Sequence, residues 1–91
     1  MCPQAIVDPD ELDRFTQELK TFDADILERS SRLIGQFNQL GETWQDQEHL
    51  KFGQEFEQTM QVIQHFLQIA DEHVPFLIRK AQRARDYLQQ H

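Results

Sequence analysis

The side chains best suited to chemistry here are four histidines, one cysteine, two serines and a surplus of acids, and their spacing rules out most reactions. A di-metal carboxylate bundle needs Glu-x-x-His pairs on two helices plus two further inward carboxylates. The nearest match is Asp46-x-x-His49, and it occurs once. His65 and His73 lie about two helical turns apart, and neither has a carboxylate three positions before it. Ser30 and Ser31 fall inside a helical pattern rather than on an exposed elbow, which leaves them without the setting of a nucleophile. Cys2 has no second cysteine for a disulfide or a zinc cluster. Gly35, Gly41 and Gly53 are isolated, so no glycine-rich phosphate loop forms. The expectation is a protein with no catalytic, metal or cofactor site, no evident small-molecule substrate and no enzyme activity.

Composition narrows the class further. The chain has 91 residues and a formal net charge of −7. That length suits one domain and is marginal for burying a core alone, so assembly with another chain is an obvious remedy. The acidic balance repels a phosphate backbone and argues against nucleic-acid binding. Uninterrupted apolar runs reach only three residues, too short for membrane insertion or for the apolar core of a signal peptide. The expected location is cytoplasmic, with any export proceeding without a signal peptide.

Two long helical patterns must position everything else. After an arm over 1–8, Asp8-Pro9-Asp10-Glu11 reads as a helix start, with Asp8 at the N-cap and Pro9 where a missing N–H costs nothing. Leu12, Phe15, Leu19, Phe22, Ile26, Leu33, Phe37 and Leu40 then recur at three- and four-residue steps, predicting one amphipathic helix over about 9–40. Gly35 inside it suggests close approach of another backbone, since an interior glycine costs about 1 kcal/mol against alanine. A turn at 41–43 follows. Gly41 stands where a left-handed C′ residue would end the first helix, and Thr43 with Asp46 reads as a reciprocal cap of the second.

The second helix is expected over about 44–89, on Phe52, Phe56, Thr59, Ile63, Phe66, Ala70, His73, Leu77, Ala81, Ala84 and Leu88. Met60, Leu67, Val74 and Ile78 form a flanking stripe on one side; Val62, Ile69 and Phe76 form another. A two-helix hairpin cannot cover so wide a face, so two hairpins should pair into a four-helix bundle. The core and dimer positions are therefore Phe15, Leu19, Phe22, Ile26, Leu33, Phe37, Phe52, Phe56, Ile63, Phe66 and Leu77. Placing Leu40 beside Trp44 brings Phe22 near Ile63 and Leu12 near His73. Helix two then overhangs its partner after Pro75, where a kink or short break is expected. His73 reads as a core or interface histidine with a satisfied hydrogen bond. Trp44 reads as a plug for the end of the core with an edge free for recognition. Together with Phe76, Ile78 and Tyr87 on the overhang, it makes up the expected partner surface.

Two long antiparallel helices with Trp44-Gln45-Asp46 in the turn resemble the WXG family of small bacterial helical-hairpin proteins, relatives of the early secretory antigenic target exported by type VII secretion systems. The resemblance runs from about Leu12 to Leu88. It implies an all-α hairpin in a homodimer or paired with a related hairpin, acting through protein contacts as a secretion substrate, adaptor or helper. The sequence departs from the family twice. Asp46 takes the place of the family glycine, and His91 stands where exported members carry the acid of a C-terminal Tyr-x-x-x-Asp/Glu signal after Tyr87. An interaction module that stays in the cytoplasm is the alternative these departures favour.

Overall fold

A computed structural model describes residues 7–89. Cys2, Ile6, His91 and most of the expected arm lie outside the described residues. Helix α1 runs Pro9–Leu40 and helix α2 runs Gln47–Gln89. Asp8 sits in extended backbone before α1, its side chain accepting from the amides of Asp10 at 2.9 Å and Glu11 at 3.4 Å. These bonds satisfy two of the donors that a helix N-terminus leaves open. The chain has one architecture, an antiparallel hairpin of 69 × 22 × 15 Å. Among the described residues there is no strand. Among these residues, too, no helix is long and apolar enough to cross a membrane.

Three contacts fix the pairing. Near the turn, Phe37 packs against Phe52 and Phe56, with ring centroids 5.6 and 5.0 Å apart. Halfway along, Phe22 meets Phe66 edge-on at 6.4 Å. At the open end, Arg85 reaches Asp10 at 3.0 Å and also pairs with Asp13. The register therefore differs from the expected one: Phe22 lies level with Phe66, not Ile63. The reason is the connection, which extends to Asp46, so that α2 begins at Gln47 instead of 44. Three more residues in the turn move α2 along its partner by about the same amount.

That shift removes the overhang. Ala81 is fully buried and Ala84 half-buried, and Arg85 still touches the first turns of α1. Nor does α2 break at Pro75; the helix is continuous through it. Pro75 and Asp71 are both exposed, so the proline, which removes the usual donor to the Asp71 carbonyl, falls outside the packed seam.

The seam of α2 is also rotated by one residue from the expected stripe. Gly53, Met60, Leu67 and Val74 face α1, while Phe52, Thr59, Phe66 and His73 are exposed beside them. Phe56, Ile63, Ala70, Leu77, Ala81 and Ala84 complete the inward row, a strict alternation of three- and four-residue steps. On α1 the inward row is Leu12, Thr16, Leu19, Asp23, Ile26, Ser30, Ile34 and Phe37. Of the residues expected at core or dimer positions, Phe15, Phe22, Leu33, Phe52 and Phe66 are exposed in the single hairpin. Small residues explain the choice on α2. A Cβ on Gly53 would sit 3.2 Å from Cζ of Phe37, so glycine leaves room for that ring. Gly35, by contrast, faces open space, so no backbone approaches it; the tight contact in the seam is the Phe37 ring on Gly53.

Candidate protein-interaction site

The tip is built from the turn residues upward. Gly41 keeps right-handed helical backbone, φ −61° and ψ −16°, so the expected left-handed cap is absent. Helical turns continue past Leu40: the amide of Gly41 donates to the Phe37 carbonyl at 3.1 Å, and that of Trp44 to the Leu40 carbonyl at 2.9 Å. The Thr43 hydroxyl turns back to the same Leu40 carbonyl at 3.3 Å. Thr43 thus finishes the first helix and does not cap the second. Asp46 does that alone, its Oδ1 accepting from the His49 amide at 3.0 Å. This bond is the chief cause holding the Asp46 carboxyl below the usual carboxylate range, and desolvation opposes it.

His49 is the residue that sequence reasoning missed. Its ring stacks on Phe37 with centroids 4.8 Å apart and 12° between planes, and Trp44 meets it edge-on at 4.9 Å. Gly41 lies against the same ring, where an added Cβ would come within 3.5 Å. Asp46-x-x-His49 is therefore a cap followed by an aromatic plug. Among the described residues no group of three or more acids, histidines or cysteines is placed to hold a metal. The available signal was spacing, because His49, Gly53 and Phe56 already follow the inward step of α2.

Away from the tip the two flanks of the seam differ. On one, Phe15, Phe22, Phe52 and Phe66 are between 47% and 57% exposed, with Val62, Ile69 and Phe76 alongside on α2. So many large apolar side chains on one face of a small hairpin exceed the scattered exposure of an ordinary surface. His73 lies on this flank; its Nδ1 is 2.9 Å from the Ile69 carbonyl, and its ring meets Phe76 edge-on at 6.5 Å. The other flank carries no aromatic row and is more polar, with Lys20, Asp23, Gln64, Gln68, Asp71 and Glu72 around Ala24 and the exposed Leu27. Of the expected partner residues, Phe76 and Tyr87 are exposed about three helical turns apart on the aromatic side, Ile78 projects to the opposite side, and Trp44 is half-buried on His49.

The family model described as proteins of 100 residues with WXG matches residues 4–89. The chain belongs to the WXG100 family. Within it, Asp46 stands at the third position of the motif and uses its side chain to start α2. No curated protein matches the sequence. Solved structures do. The chain is similar to the secreted protein EsxB of Bacillus anthracis strain Sterne, with 27% identity over 94% of this chain and 98% of that one, and a TM-score of 0.71. A glycine-to-alanine variant of the same protein gives 27% identity over 93% and 98%, with a TM-score of 0.70. The WXG100 hairpin is thus shared along almost its whole length.

Proposed function

We propose that this WXG100 protein is a non-enzymatic interaction hairpin whose aromatic flank pairs with a second copy to form a four-helix bundle, and that the bundle serves a type VII-like secretion system as substrate, adaptor or helper. The observation that carries the first half is the row Phe15, Phe22, Phe52 and Phe66, half exposed on one side of the seam. Covering it in water releases about 25 cal/mol per Å² of apolar surface. A self-complementary pairing covers it on both copies at once. The likeness to the secreted EsxB of Bacillus anthracis supports the second half.

Sedimentation equilibrium across the micromolar range tests the pairing, with a helical dimer expected. A monomer at high concentration would assign the flank to a different chain. Export is tested by following the protein in the medium of cells with an intact and a disrupted secretion apparatus. Retention inside cells in both cases would favour the cytoplasmic interaction module.

A further inference from the structure

Asp23 occupies an inward position of α1 halfway along the hairpin and is only 9% exposed. Among the described residues neither of its carboxylate oxygens has a hydrogen-bond partner. Across the seam lies a second acid, Asp71, on the same groove, with Glu72 next to it and Lys20 on α1; these are the charged groups that face Asp23. Lys20 is exposed and, among the described residues, joins no ion pair. A carboxylate buried without a partner is costly, and two like charges facing each other add to that cost. A single proton removes both penalties, because a protonated carboxyl can donate to the other across the helices.

We propose that Asp23 and Asp71 hold one proton between them at the middle of the seam, so that the hairpin closes more tightly when the proton is bound and loosens when it leaves. Burial, then the charge of Asp71, push the Asp23 carboxyl above its ordinary value. The folded chain therefore takes up the proton more readily than the unfolded one. Stability increases as pH falls through the folded value and is lost as pH rises past it. The groove lies on the flank opposite Phe22 and Phe66, so the proposal does not depend on pairing between copies.

The test is urea unfolding of the whole protein and of Asp23→Asn and Asp71→Asn, at one protein concentration, between about pH 4 and pH 8. Asparagine imitates the protonated acid. The expected result is a higher midpoint for Asp23→Asn than for wild type at the alkaline end, with the gap closing towards the acidic end. Carbon-detected NMR titration of the Asp23 side chain should place its ionisation above the ordinary carboxylate range in wild type and lower in Asp71→Asn. A midpoint gap that stays constant with pH would overturn the proposal. So would a destabilised Asp23→Asn protein at the alkaline end, which is what an Asp23–Lys20 ion pair predicts, or an Asp23 that titrates in the ordinary range.

Discussion

The two flanks of this hairpin border the same seam and differ in what they present. One side exposes Phe15, Phe22, Phe52 and Phe66; the other carries Lys20, Gln64, Gln68, Asp71 and Glu72 over the buried Asp23. The same helical step generates both. A residue one position before the inward row of α2 falls on the aromatic side, whereas positions one after it, such as Gln68 beyond Leu67, fall on the polar side. The lesson is that a two-helix seam sets only the fold, and the residues bordering it decide which side remains available to another chain.

The seam itself should be the most sensitive to change. Leu67→Ala, which empties a buried position shared by both flanks, is expected to cost about 2–4 kcal/mol, read from chemical unfolding. Next comes the aromatic side. Phe22→Glu with Phe66→Glu should weaken self-association by roughly 100-fold or more, since charges would have to be buried in the contact. The matched control on the other side, Leu27→Glu, should leave the sedimentation profile of wild type unchanged. If both substitutions dissociated the dimer equally, the contrast between the flanks would fail as an account of assembly.

Smaller effects are expected at the two ends. Asp46→Ala removes the cap of α2 and should cost about 1 kcal/mol, while Asp46→Gly, which restores the family residue, should cost only a few tenths. Arg85→Ala breaks the bridge to Asp10 and Asp13 at the open end. Because Asp10 is largely solvent-facing and Asp13 and Arg85 are partly so, the loss should stay below about 1 kcal/mol and shrink further in high salt. Amide hydrogen exchange would locate both losses, with Asp46 variants opening near the tip and Arg85 variants opening near residues 9–13.

Much of the hairpin is legible in the sequence. Asp8-Pro9 marks the start of α1 because a cap and an N1 proline are local chemistry, and the break after Leu40 is likewise marked by local turn residues. The site was less legible. His49 carries a polar label that hides its use as an aromatic plug, and Phe52 and Phe66 have the period of core residues although they lie outside the seam. Two neighbouring stripes, both apolar and both stepping by three and four, cannot be ranked by periodicity.

The amino-acid order by itself determined two long amphipathic helices, the reversal between them, and more apolar surface than two helices can hide. Those features follow from backbone propensity, capping and side-chain spacing within single segments. Only the tertiary structure decided which stripe of α2 faces α1 and in what register. That choice depends on volume: Gly53, Ala70, Ala81 and Ala84 let the helices approach closely and accept the ring of Phe37, whereas a seam through Phe52 and Phe66 would hold them apart. The same choice buries Asp23 against Asp71 and turns the phenylalanines outward, so both the acid pair and the free aromatic flank result from how two helices fit together.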